Sequence, residues 1–156
     1  MDLERYTNNA KETMVEAMEI ARALDHQTIT TTHVMKAILS NNKKRFRKLI
    51  ELAGGDYFLI LQEADKLLIS FPRVEGHKNL FIDTKLSEAI KDSEGFAGKL
   101  GDKFIGLEAL FLGIALGTGE LAQNLVNKMK NFNRLEELVL ADRKGNKIES
   151  QAHQEG

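Results

Sequence analysis

The sequence predicts an all-α fold of eight helices, arranged as two tandem four-helix repeats. The first sign is a set of six identities at one offset of 76 residues: Glu12 with Glu88, Ala21 with Ala97, Leu24 with Leu100, Ile29 with Ile105, Ile38 with Ile114, and Leu49 with Leu125. The second is the apolar register, in which Ala10, Met14, Ala21 and Leu24 answer to Leu86, Ile90, Ala97 and Leu100. The third is the scarcity of helix breakers, with Pro72 the single proline of the chain. Repeated units of this kind bury a core between them and leave a seam or groove where they meet. Such a chain reads as a binding module before it reads as an enzyme.

The elements follow in order. Ala10, Met14, Ala17, Met18, Ala21 and Leu24 lie at helical spacing and predict a first helix from about Thr7 to Leu24, with the Thr7 hydroxyl as N-cap. After a short polar loop, Thr30 caps a second helix carrying Val34, Met35, Ala37, Ile38 and Leu39. The third carries Phe46, Leu49, Ile50 and Ala53, and Gly54-Gly55 stops it, since glycine accepts the left-handed conformation of helix ends. Asp56 caps the fourth, which runs to Leu67–Ile69. Residues 71–78 form a connector broken by proline and glycine. The second unit opens near Asp83 or Thr84, with Leu86, Ile90, Ala97 and Leu100 inward, and Gly101 ends that helix. Leu107, Leu110, Phe111, Ile114 and Ala115 mark the sixth helix. Gly119 to Met129 forms the seventh, and Leu135, Leu138 and Val139 belong to the eighth. No apolar period survives after about Gly145, so residues 1–145 read as the domain and 146–156 as a flexible linker or tail.

Composition narrows the function. A net charge of −1 argues against a general nucleic-acid binder, which needs a concentrated positive field. Cysteine is absent, so disulfides and thiol catalysis are excluded. The first residues carry no apolar leader segment and no run approaches a membrane span; the expectation is a cytoplasmic protein without membrane contact. No phosphate-binding G-x-x-x-x-G-K-[ST] run occurs, so this chain is expected to be no ATPase by itself and to hold no cofactor. His26, His33, His77 and His153 form no metal-ligand pattern; His26 reads as a solvated loop residue and His33 as a first-turn helix residue. Lys43-Lys44-Arg45-Phe46-Arg47-Lys48 reads as a solvated helix face with Phe46 turned inward, or as a patch for anionic partners. Gly113, opposite Ala37 of the first unit, reads as a close helix contact. Asp102 and Glu108 admit two readings, helix capping on one side and a polar rim beside an apolar groove on the other. Phe96 steps off the buried stripe and reads as a contact residue or as partial packing beside Leu100.

These residues also resemble a known family. Tyr6-Thr7-x-x-Ala10, Leu24-x-His26-Gln27-x-Ile29-Thr30-x-x-His33, Ala53-Gly54-Gly55-Asp56, Phe71-Pro72-Arg73-Val74-Glu75-Gly76 and Gly101-Asp102-x-Phe104-Ile105-x-x-Glu108 together look like the N-terminal domain of Clp ATPases, most of all the ClpB-type disaggregase. The resemblance implies a domain tethered by a mobile linker to an ATP- and magnesium-dependent hexamer that threads aggregated protein, with a cochaperone of the DnaK type as a further partner. It implies that the fragment itself is a monomeric, weak and promiscuous receptor for unfolded or aggregated polypeptide. Family positions facing the substrate correspond to Thr7, Phe96, Asp102, Glu108 and Ala109. The same resemblance leaves an alternative, an adaptor-docking domain of a Clp protease unfoldase. Two departures stand out: Asp92 and Ala109 replace larger apolar residues, which makes the groove shallower, and Gly106 replaces a small hydroxyl cap before Glu108.

Overall fold

The computed structural model describes residues 2–76 and 79–155; His77 and Lys78 of the connector lie outside them. Among the described residues there are eight α-helices: α1 (Asn8–Ala23), α2 (Thr31–Asn41), α3 (Lys43–Leu52), α4 (Tyr57–Ser70), α5 (Thr84–Leu100), α6 (Leu107–Ala115), α7 (Glu120–Leu125) and α8 (Leu135–Arg143). The offset of 76 carries Asn8, which opens α1, onto Thr84, which opens α5, and Thr31 of α2 onto Leu107 of α6. Caps follow the sequence signals. Thr7 Oγ1 accepts from the Ala10 N–H at 3.1 Å. Asp56 Oδ1 accepts from Phe58 N–H at 2.9 Å. Gly54 and Gly101 take φ of +80° and +78° at the ends of α3 and α5, a region glycine enters at no steric cost. The seventh helix is shorter than its expected span, ending at Leu125.

Two strands of two residues, β1 (Thr28–Ile29) and β2 (Phe81–Ile82), pair in parallel. Such short extended pieces carry no periodic signal and are not foreseen by the pattern. Their arrangement is reciprocal. Ile82, leading into α5, pairs with Ile29 between α1 and α2. Tyr6, leading into α1, bridges to Ile105 between α5 and α6. The residue ahead of each repeat is therefore bonded to the inter-helix loop of the other repeat. Four main-chain bonds hold this exchange: Thr7 N–H to Ile105 O at 3.0 Å, Ile105 N–H to Arg5 O at 2.8 Å, Asp83 N–H to Ile29 O at 3.0 Å and Phe81 N–H to Gln27 O at 2.9 Å.

Between the repeats lies one continuous core that includes Met14, Met35, Ile38, Phe46, Leu107, Phe111 and Ile114. The rings of Phe46 and Phe111 meet at a tilt of 47°, 5.1 Å between centroids, across the two halves. Gly113 makes a close helix contact, but its nearest neighbours lie on α5 of its own repeat rather than at Ala37. A Cβ there would collide with Ser93 Oγ and lie 2.5 Å from Ala89 O. The equivalent residues of the first unit are Ala17 and Ala37, both fully buried. The extra hydroxyl of Ser93 is thus matched by the missing methyl at 113, which keeps packed volume nearly constant.

His26 departs from its expected solvated place. It is 3% exposed, and His33 is fully buried. Their rings bond directly, His26 Nδ1 to His33 Nε2 at 2.8 Å. Phe71 lies against both rings, with centroids at 5.8 and 5.9 Å. His33 Nδ1 also accepts from the Thr30 N–H at 3.0 Å, completing a capping box at α2. Burial, and then the facing His26, hold the His33 pKa down at about 4. Burial and Arg73 lower that of His26.

Candidate peptide-binding site

The site grows from a helix start without a side-chain cap. Gly106 is the N-cap of α6 and offers no acceptor to the orphan N–H groups of the first turn. The acceptor comes from far along the chain: Leu107 N–H donates to Glu155 Oε2 at 2.7 Å. The other oxygen of that carboxyl accepts from Thr7 Oγ1, the hydroxyl that also caps α1. One carboxyl group therefore spans the N-termini of two helices, where the exposed N–H groups and the helix dipoles favour it. Gly106 supplies the room. A Cβ at that position would sit 2.6 Å from both Glu155 Oε2 and Ile148 Cδ1. Burial pushes the Glu155 pKa up, partly opposed by the hydrogen bonds from Thr7 and Leu107 and reinforced by the charge of Glu108.

Asp102 and Glu108 meet a cation that the sequence reading missed. Arg143, in the last turn of α8, donates from Nη1 and Nη2 to the two Asp102 oxygens at 2.8 and 2.7 Å and from Nε to Glu108 Oε1 at 3.0 Å. Arg45 adds an Nη2 contact to Glu108 Oε1 at 2.8 Å and a contact to Asp142, which Lys48 also reaches at 3.0 Å. Burial alone would lower the Arg143 pKa; the bonds and charges of Asp102 and Glu108 outweigh it and raise it. Glu108 Oε2 is buried and has no hydrogen-bond partner among the described residues. A cleft of about 150 Å³ is left beside Arg45, Glu108, Arg143 and Glu155.

The site residues named from the resemblance are distributed differently from expectation. Thr7, Asp102 and Glu108 come together, but under cover rather than on an open rim. Thr7 is fully buried, Glu108 is 5% exposed and the Asp102 side chain is closed to solvent. Ala109 is fully buried too. Phe96 stands apart: it is half-buried at the margin of the core, with Lys99 Nζ 5.3 Å above its ring. The cover is the segment 146–155, expected to be linker. Ile148 is 1% exposed, its N–H donates to Asp102 Oδ1 at 2.9 Å and its carbonyl accepts from Lys103 N–H at 2.9 Å. Gln151 O accepts from Asn8 N–H at 2.8 Å, and its amide donates to Glu4 O at 2.8 Å. A polar, aperiodic segment can pack when its backbone groups find partners, and here the loops around α1, α5 and α6 supply them. Arg45 likewise leaves the solvated face assigned to the basic run, while Phe46 is buried as expected.

Open apolar surface lies elsewhere, including Ile69, Leu59 and Phe58 of α4. A cleft of about 590 Å³ borders the reciprocal strand pairing and is lined by Leu3, Met18, Ile29, Leu80, Phe81 and Ile82, with Arg22 and Asn79 at its polar side. Phe81 is 56% exposed there. Among the described residues no helix is long and apolar enough to cross a membrane, and no cluster of three or more His, Cys, Asp or Glu side chains could hold a metal.

Comparison with known proteins accounts for this architecture. Residues 5–128 match the family described as the Clp repeat (R) N-terminal domain. The chaperone protein ClpB of Rickettsia felis is 25% identical over 154 residues, covering 97% of this chain and 18% of that protein. The ClpB of Rhizobium meliloti is 27% identical over 158 residues, again spanning 18% of the relative. Among solved structures, the Hsp104 N-terminal domain from Candida albicans superposes with a TM-score of 0.80 at 11% identity, covering 94% of this chain and 97% of that one. The N-domain of ClpV from Vibrio cholerae gives 0.70 at 16% identity, covering 90% and 87%. At such identities these structures speak for the fold. The family match extends across most of the chain and includes both repeats with their exchanged strands, so the chain belongs to the Clp N-terminal domain family and is not itself an ATPase module.

Proposed function

We propose that this domain captures unfolded or aggregated polypeptide for a ClpB-like, ATP-dependent disaggregase. The observation that carries the reading is the alignment of essentially the whole chain with ClpB relatives. The open cleft at the strand exchange supports it, since an exposed Phe81 beside Leu80 and Ile82 offers apolar contact to an extended segment. Phe96 at the edge of α5 is a second contact in this reading. Reversible capture would raise substrate concentration near the threading hexamer through the effective concentration set by a tether. The hexamer, the DnaK-type cochaperone and the cytoplasmic setting belong to the same proposal. A small contact of this kind gives weak affinity, about micromolar to millimolar.

The test is chemical-shift mapping of the labelled chain with an unfolded model protein. Perturbations centred on Leu80, Phe81 and Ile82, with Phe96 responding, are expected. Absence of binding, or tight binding of one folded partner with indifference to unfolded chains, would replace this reading with adaptor docking.

A further inference from the structure

We propose that the outer face of α3, together with Phe58 of α4, docks the acidic face of an amphipathic helix carried by a partner protein. Lys43, Lys44, Arg47 and Lys48 are all exposed on that face. With Glu51 and Leu52 they line an open cleft of about 710 Å³. Phe58 stands beside it, half-exposed, with Lys43 Nζ 5.0 Å and Arg47 Cζ 5.2 Å from the centre of its ring. Leu52 and Leu59 are exposed too and extend the apolar surface next to the cations.

Folding does not account for these charges. Asn42 gives the start of α3 no side-chain cap, and the first turn carries Lys43, Lys44 and Arg45, where the helix dipole favours acids. Lys43 with Arg47, and Lys44 with Lys48, are like-charged pairs four residues apart, which oppose the helix rather than support it. Asp142 compensates Arg45 and Lys48, and Glu51 holds Arg47 at 2.8 Å. Among the described residues Lys43 and Lys44 have no carboxylate partner. The face therefore carries positive charge that costs the domain stability, and a partner's carboxylates are what would offset it.

The same surface selects the occupant. Each like-charged pair spaces two cations by about one helical turn, roughly 6 Å, which matches carboxylates at i and i+4 of a facing helix. Helices α3 and α4 offer no strand edge, so an extended peptide would leave its backbone groups unpaired, whereas a helix arrives with its own satisfied. Phe58, Leu52 and Leu59 call for apolar side chains beside those carboxylates. A net charge of −1 gives no broad positive field for a nucleic acid. The face shares no lining residue with the Phe81 cleft, so this docking and polypeptide capture stand or fall separately.

The probe is a fluorescent synthetic peptide of about 18 residues, long enough to hold a helix, with glutamates at i and i+4 flanked by leucines. Its control carries glutamine for every glutamate. Anisotropy titrations use the full chain, a Lys43→Glu/Lys44→Glu double variant and Phe58→Ala, each checked by thermal melting. The double variant should bind the acidic peptide about tenfold or more weakly while melting at the same or a higher temperature, because acids suit the start of α3. Phe58→Ala should weaken binding about two- to fivefold. Raising salt from about 50 to 200 mM should weaken the parent's binding severalfold, and amide shifts should centre on α3. Equal binding by the parent and the folded double variant, or equal binding of the two peptides, would overturn the proposal. So would tighter binding to phosphatidylserine vesicles than to the peptide, or self-association of the chain through this face. If the peptide fails while unfolded protein still binds at Phe81, the basic face is wrong and the capture reading stands.

Discussion

Replacing Arg143 by methionine isolates the buried charge cluster. Methionine keeps much of the side-chain length but removes all three bonds to Asp102 and Glu108. The two carboxylates then fare differently. Glu108 keeps Arg45 at 2.8 Å, whereas the Asp102 side chain, closed to solvent, keeps among the described residues the Ile148 N–H alone, at 2.9 Å. Removing one partner of a buried pair costs about 3–5 kcal/mol, and the surviving Arg45 contact places the expectation near the lower end, about 3 kcal/mol. For a domain of this size each kcal/mol moves the melting temperature by about 2–4 °C, so a fall of roughly 6–12 °C is expected. Urea unfolding with a double-mutant cycle checks the origin of the loss. Asp102→Asn on the Arg143→Met background should recover part of the stability, because the stranded charge is gone. A single-variant loss under about 1 kcal/mol, or no recovery in the double variant, would refute the account and return Asp102 to a solvated rim.

The histidine pair predicts a pH window. His33 must stay neutral in the fold, so its contribution is complete above the unfolded pKa of about 6.5 and is lost as pH falls toward its folded value of about 4, up to roughly 3 kcal/mol. Urea midpoints between pH 7 and 4 should show this slope, and His33→Gln should flatten it. Gly106→Ala should lower stability by about 1–3 kcal/mol through overpacking and raise hydrogen exchange at Ile148, read by amide exchange; unchanged protection there would contradict the contact. Phe81→Asp should weaken capture of an unfolded model protein with the melting temperature nearly unchanged, since the ring is 56% exposed. Phe96→Asp should weaken it less and cost some stability, because that ring packs on the core margin; the reverse order would move the capture surface to α5.

The helices were legible because period, caps and glycine stops agree locally. Thr7, Thr30, Asp56, Gly54 and Gly101 each act at a helix end as read. The repeat was legible because its register survives even where identities do not. The candidate site was legible only in part. Thr7, Asp102 and Glu108 do gather, but their cover depends on Arg143 and Glu155, whose partners lie 41 and 148 residues away and leave no periodic trace. A signal did exist: two carboxylates near one helix start imply a compensating cation. The segment 146–155 was opaque because one buried isoleucine and a row of backbone bonds have no pattern. His26 was misplaced because a polar loop residue hides its partner seven positions on.

The reciprocal bonding of Tyr6 to Ile105 and of Ile29 to Ile82 makes the duplication a clasp. Each repeat carries its own leading extended residue but pairs it with the inter-helix loop of the other. Two copies of a single repeat could satisfy the same bonds between chains, so an ancestral one-unit form would be a symmetric dimer, and fusion would have turned association into a unimolecular step. A present-day trace of that history is available: a backbone cut in the connector between Phe71 and Leu80 severs no exchanged bond. The two fragments should therefore remain associated after cleavage, and should re-form the domain from separately unfolded halves.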